Sequence, residues 1–224
     1  MKHEAQFMLA RAAGVSEAGF RAWLRHMAET AANVGSGVEW VTLVPAESLG
    51  ALAHVAESGG GRAADAILTV SGEHAAAAAK AIGEAISTVA DPKDSQVSGG
   101  TRHSILPGHA PIRLFFGLRR LEKLKRAEFQ DYWLNVHADF GRRLIPPYSY
   151  HQIHTEEALT DELAQLCGLP PSPLDGIVEV HFPDLDALIR QLMRPEVASE
   201  ALADERNFID HARSAFHVYR DPGA

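Results

Sequence analysis

The sequence predicts an α+β fold made of two tandem ferredoxin-like repeats, each β-α-β-β-α-β, which close within one chain into a pseudo-dimeric α+β barrel. Three observations carry this expectation. The same order of strand and helix signals runs through twice. The two passes are near-equal in length within 224 residues. Pro107, Gly108 and Pro111 punctuate the chain between them. The first, degenerate repeat takes residues 1–108 and the second 109–224.

The first pass opens with a strand at Gln6–Ala12, followed by Ser16 as the N-cap of a helix over Glu17–Ala32. Phe20, Trp23, Leu24 and Met27 recur there at three- and four-residue spacing and make one apolar face. A strand at Val38–Val44 ends at Pro45. A loose stretch, 46–64, holds a short helical segment and the Gly59-Gly60-Gly61 run. A strand at Ala66–Val70 leads to a second helix, Glu73–Thr88, whose narrow apolar face is Ala79, Ile82 and Ile86. A strand near Arg102–Leu106 closes the unit.

The second pass begins with a strand at Ile112–Leu118 and a helix at Arg126–Arg143, with Phe129, Tyr132, Trp133, Val136 and Phe140 on one face. Pro146 and Pro147 stop it. A strand at Ser149–His154, a helical excursion at Glu156–Cys167 and the turn-rich Pro170-Pro171-Ser172-Pro173 follow. A strand at Gly176–Phe182 enters a helix at Leu185–Met193. The stretch 195–210 reads as a short helix plus loop before a last strand, Ser214–Tyr219. In Gly176–Phe182, Val178, Val180 and Phe182 share one face, and Ile177, Glu179 and His181 the other. The second set is too mixed to be fully wet or fully dry, and two such sheets face to face would bury it.

Composition excludes several classes. Hydrophobic residues are 46% and charged residues 22%, ordinary for a globular chain. No apolar run approaches the roughly 18 residues of a membrane span, and Glu4, Gln6 and Arg11 interrupt any signal-peptide core. A cytoplasmic location is expected, with no membrane partner. A net charge of −8 argues against nucleic acid. The basic cluster Arg119, Arg120, Lys123, Lys125 and Arg126 reads as a solvated loop. Cys167 is the single cysteine, so no intrachain disulfide is possible; its leucine neighbours suggest a buried or loop thiol. The histidine count is high, at 12, but HExxH is absent. His151 and His154 lie three apart in a strand and point to opposite faces, so no metal site is expected. Phosphate loops, dinucleotide fingerprints and a Gly-x-Ser-x-Gly elbow are missing too, and no cofactor is expected.

The segment KRAEFQDYWLNVHADFGRRL, Lys125–Leu144, resembles the EthD-like family of the dimeric α+β barrel superfamily. Its pattern is E-F-x-x-Y-W with a histidine after three further residues, here Glu128, Phe129, Tyr132, Trp133 and His137. Asp175-Gly176-Ile177-Val178-Glu179-Val180 resembles the family's third strand, and the stretch from Asp204-Glu205 to Phe208-Ile209-Asp210 its approach to the last strand. The likeness spans about residues 112–220. Laying Phe20 over Phe129 puts Ala28 at the place of His137, with His26 two residues off, roughly 200° around a helix. One competent site in the second repeat is therefore expected.

The resemblance implies cofactor-free chemistry on aromatic or polyketide substrates: decarboxylation, dehydration, cyclisation or lactone isomerisation. Relatives in the wider superfamily include anthrone oxygenases and haem proteins. His137 falls four residues after Trp133 and three before Phe140, at the buried helical face, and an imidazole there could move a proton near neutral pH. The plainer reading is a core histidine satisfied by a backbone carbonyl. Tyr132, Trp133 and Phe140 are core residues of any amphipathic helix, or flat apolar walls if a pocket lies beneath them. Tyr150 is a candidate to orient a substrate oxygen, as is His151 on the opposite face. Arg113, Glu179 and His181 form a polar set across neighbouring strands; His211 and His217 are further candidates. The expectation is a lyase with His137 and Tyr150 catalytic, and with Tyr132, Trp133, Phe140, His151, Arg113 and His181 contacting an aromatic small molecule. An oxygenase or isomerase of the same fold, and a non-catalytic small-molecule or haem-binding protein, remain the alternatives. A further homodimer is left open.

Overall fold

Alternation of side chains fixes the faces of the first strand: Ala5, Phe7 and Leu9 join the apolar core while Glu4 and Gln6 share the other side. The computed structural model describes residues 2–33, 37–52, 63–72, 75–143 and 148–223. In it this strand, β1, runs Lys2–Leu9, four residues earlier than the sequence suggests. Glu4 does not stop the strand, because the Arg102 guanidinium donates to both its oxygens. The Gly59-Gly60-Gly61 run, the Pro146-Pro147 stop and the expected helix start at Glu73 lie outside the described residues.

The chain divides into two compact units, each discontinuous in sequence: Met1–Leu43 with Arg62–Arg102 and Thr155–Pro173, and Val44–Gly61 with His103–His154 and Leu174–Ala224. The first holds β1, α1 (Glu17–Asn33), β2 (Gly37–Leu43), β3 (Ala66–Ser71), α2 (Ala75–Ile86) and most of β4 (Gln96–Leu106). Its sheet is antiparallel in the order β2-β3-β1-β4. Ser16 caps α1 as expected, its hydroxyl accepting from the Gly19 N–H at 3.1 Å. Phe20, Leu24, Met27 and Ala31 bury the α1 face against the sheet.

The excursion helix Glu157–Cys167 packs within this first unit, on α2. The alanine-rich face of α2 permits close approach, and a Cβ at Gly83 would stand 2.6 Å from the Cys167 Cα. Leu159 and Leu163 of the excursion helix fill the space beside Gly99, where a Cβ would meet them at 2.6 and 2.8 Å. This is why β4 begins six residues before the expected start: glycines weaken a strand, but here a partner distant in sequence supplies the missing side chains. Cys167 is buried, and burial pushes its thiol pKa up.

The second unit holds β5 (Ile112–Leu118), a long helix interrupted in its middle, β6 (Ser149–Thr155, ending at the unit boundary), β7 (Gly176–Phe182) and β8 (Ala215–Arg220). Its antiparallel order is β8-β5-β7-β6. The long helix comprises α3 (Arg126–Tyr132), a π-helical turn at Trp133–His137 and α4 (Ala138–Arg142). The excursion helix of the first unit is α5. A helix at Leu185–Leu192, α6, starts at the N-cap Asp184, whose carboxylate accepts from the Ala187 N–H at 2.7 Å. The short helix expected after it begins as a second π-helical turn, Glu196–Ala201, and runs into α7 (Leu202–Glu205).

The basic cluster is not a free solvated loop. Arg119, Arg120 and Arg126 converge on the buried carboxylate of Asp175 at 3.2–3.5 Å. Asp175 lies at the start of β7, so the attraction ties the α3 end to the sheet. Among the described residues, no helix is long and apolar enough to cross a membrane.

Candidate active site

Glu128 reaches back to accept from the Lys125 N–H at 2.8 Å and starts α3. From there the α ladder would carry the Trp133 carbonyl to the His137 N–H. The π-turn gives that carbonyl the Ala138 N–H instead. Such turns are uncommon and concentrate at functional sites. Here the extra residue leaves Trp133 fully buried and His137 nearly so.

The His137 imidazole stands between two phenyl rings, Phe140 at 5.3 Å and Phe208 at 5.0 Å. Its Nδ1 lies 2.7 Å from Oδ2 of Asp204, on α7. The other oxygen, Oδ1, accepts from the Tyr132 hydroxyl at 2.6 Å. Burial pushes the Asp204 carboxyl up, but the hydrogen bonds from Tyr132 and His137 outweigh it and hold the pKa below the usual carboxylate value. The same bond to Asp204 raises the Tyr132 pKa. An ionised Asp204 accepts from Nδ1–H and fixes the tautomer in which Nε2 carries the lone pair. Among the described residues no group hydrogen-bonds that nitrogen, and it is not sealed from solvent.

Behind the dyad lies a buried polar layer between helix and sheet. Trp133 Nε1 donates to the Tyr150 hydroxyl oxygen at 3.2 Å, and Gln152 Nε2 donates to the same oxygen at 2.8 Å and to the Trp133 carbonyl at 3.0 Å. His154 Nε2 lies 3.0 Å from Gln152 Oε1, and its ring stacks on the Trp133 indole at 4.8 Å. Burial, then the neighbouring His103, pushes the His154 pKa down to about 3. Burial raises the Tyr150 pKa. Two glycines make the close packing possible: a Cβ at Gly141 would meet the Tyr150 ring at 1.9 Å, and one at Gly176 the Trp133 ring at 2.4 Å.

His137, Tyr132, Trp133, Phe140 and Tyr150 thus come together on the helix side of the sheet. Arg113, His151 and His181 do not join them. Register places these three on the opposite face, where Arg113 pairs with Glu179 at 3.2 Å with both side chains buried. His151 reaches Ser104 at 3.1 Å on that side, and His181 stacks edge-on against it at 5.5 Å. His217 shares the same face, opposite Phe115, and His211 pairs with Glu205 at 2.8 Å. His26 is exposed on α1.

Sequence reasoning missed Asp204, Phe208, Gln152 and His154 as members of this layer. Asp204 and Phe208 sit in a stretch whose family resemblance was visible, yet nothing local tells that a carboxylate 67 residues on meets His137.

Residues 121–212 match the EthD domain. No curated protein matches the chain. Several solved structures share its fold over nearly the whole length. An anthrone oxidase-like protein is 7% identical, with 99% of this chain and 91% of that one covered and a TM-score of 0.62. A candidate chlorite dismutase is 13% identical over 99% and 94%, with a TM-score of 0.57. A candidate monooxygenase from Lactobacillus acidophilus is 8% identical over 97% and 92%, with a TM-score of 0.55. At such identities the likeness is one of fold alone, and it is α+β. The stretch that matches the EthD domain, residues 121–212, carries both His137 and Asp204.

Proposed function

We propose that the chain is an enzyme in which the His137–Asp204 dyad moves a proton on a hydroxylated aromatic or polyketide-like small molecule. The single observation behind this is an imidazole with one nitrogen on an ionised carboxylate and the other unengaged. Nε2 takes a proton from an acidic C–H of the substrate, and Asp204 stabilises the imidazolium that forms. In a dehydration, the same imidazolium then returns the proton to the departing hydroxyl, which leaves as water while the carbon–carbon double bond closes. One residue shuttles the proton, and atoms balance with no further reagent. We keep a lyase outcome, dehydration or decarboxylation, as the first reading. Phe140 and Phe208 confine the ring, Tyr132 and Asp204 position it, and Tyr150 supports the layer behind.

The names of the fold neighbours favour a second reading, oxygenation, in which the same proton removal would prepare an electron-rich substrate for dioxygen. A haem is a poorer fit. His137, with a carboxylate on its far nitrogen, is the residue that would hold a haem iron. However, the helix–sheet layer is filled by Trp133, Tyr150 and Gln152, none more than 4% exposed, and a macrocycle lying there would have to displace them.

For the fold, we also propose that the two sheets are ferredoxin-like repeats of one ancestral unit, paired as a pseudo-dimeric barrel. Like strand order in the two units supports this, and an isolated 109–224 fragment that folds as a stable monomer would count against it.

The enzymatic reading is tested with hydroxylated aromatic acids, lactones and anthrones, following carbon dioxide release, water loss and oxygen uptake side by side. The expected result is turnover that disappears in His137→Ala. Full activity in a folded His137→Ala protein would sink the assignment, and oxygen uptake matched to product would move it to the oxygenase.

A further inference from the structure

We propose that Gln152 is a positioning residue for His137, holding the π-turn that sets the imidazole against Asp204, and that His154 supports Gln152 by completing its buried hydrogen bonds. The inference rests on the reading of His137 as the proton-carrying residue. Gln152 is fully buried, and an amide in such a place is costly unless its groups are bonded. Both N–H donors are used, on the Trp133 carbonyl and the Tyr150 oxygen, and Oε1 faces His154 Nε2.

The Trp133 carbonyl is the group that the π-turn displaces. It accepts from the Ala138 N–H, five residues on, and from Gln152 as well. The side-chain bond stabilises the wider turn against its α-helical alternative. Reverting to α spacing would rotate every side chain after Trp133 by one residue, about 100°. His137 would then leave Asp204.

The Trp133 carbonyl decides which way the amide points. A flipped amide would turn Oε1 toward the Trp133 carbonyl and its N–H groups toward His154. Two oxygens would then face each other with no proton between them, which excludes that flip. His154 Nε2, 3.0 Å from Oε1, completes the bonding of the amide in the tautomer that carries its proton there. Stacking on Trp133 holds the ring in plane for this bond. The chain of control therefore runs from β6, through Gln152, to a backbone carbonyl, and ends at the dyad.

The test uses the full chain with ¹⁵N-labelled histidine. In the wild type, NMR should show His137 with its proton on Nδ1, bonded to carboxylate, and Nε2 bare. Gln152→Met keeps the volume and removes the amide; it should lose this His137 signature while near-UV circular dichroism stays native. With a substrate in hand, kcat should fall by about 100-fold with KM little changed, the consequence of a misplaced catalytic group. His154→Phe keeps a ring on Trp133 and should weaken the signature in the same direction, less completely.

Retention of the wild-type His137 signature and its titration in folded Gln152→Met would overturn the proposal. If Gln152→Met fails to fold, retention in His154→Phe overturns it equally, and loss there supports it. A signature that depends on Gln152, in a protein whose turnover survives His137→Ala, would leave the clamp standing and remove the functional reading instead.

Discussion

Two helices hold the same place in the order of their units and do different things. Helix α1 of the first unit is regular for 17 residues, buries Phe20, Leu24, Met27 and Ala31, and leaves His26 in solvent. The long helix of the second unit buries Phe129 and Trp133 in the same manner, then breaks its ladder for one π-turn before His137. The difference teaches where the chemistry comes from. An unbroken α face is sufficient to cover a sheet. Bringing an imidazole to a carboxylate on another helix needed a local departure from it, and buried polar partners to keep the departure in place.

The largest expected effect that sharpens this contrast is on catalysis. His137→Ala should lower kcat/KM by about 10²–10⁴-fold, the usual worth of a positioned acid–base group, while His26→Ala on α1 should leave it unchanged. Steady-state kinetics on the two variants checks both.

Acid stability should separate the units next. His154 has a folded pKa of about 3, against about 6.5 unfolded. Above pH 6.5 it is neutral in both states and costs nothing. As pH falls from 6.5 to 3 only the unfolded chain takes up the proton, so stability drops, on the order of 5 kcal/mol in all. His103 and His217 shift in the same direction, each led by burial. Urea unfolding of wild type and His154→Phe at pH 7 and pH 4.5 should show a smaller acid loss in the variant. Equal losses would show that His154 does not stay neutral in the folded chain.

Packing comes third. Gly141→Ala would drive a methyl into the Tyr150 ring, and Gly83→Ala in the first unit would drive one into the backbone of Cys167. Each should cost about 1–3 kcal/mol by denaturant midpoint. Gly14, with nothing within 4 Å of a Cβ, sits at φ +86, so its alanine variant reports backbone strain alone.

The smallest effect concerns Asp204. Its folded pKa lies below the unfolded one, so its contribution is present above about pH 3.9 and is lost as pH falls through the folded value. Asp204→Asn should cost about 1 kcal/mol at pH 7, near the net worth of a hydrogen bond. It should also move the pH profile of any His137-dependent rate, which a purely structural carboxylate would not do.

The sequence by itself determined the α+β class, the strand and helix order and the aromatic face of the second long helix. Those follow from periodicities of two and about 3.6, which are local. It also singled out His137, by the resemblance of its segment to the EthD-like pattern; the spacing from Trp133 and Phe140 alone fits a core histidine equally well. It did not show β4 running through Gly99, since the leucines that fill that glycine lie about 60 residues on. Nor did it show Asp204, Gln152 or the π-turn. A hydrogen bond between residues 67 apart leaves no period in a sequence. Only the folded chain, by bringing Asp204 to His137 and laying Trp133 against Gln152 of β6 and Gly176 of β7, decides which polar groups meet and which carbonyl must give way to let them.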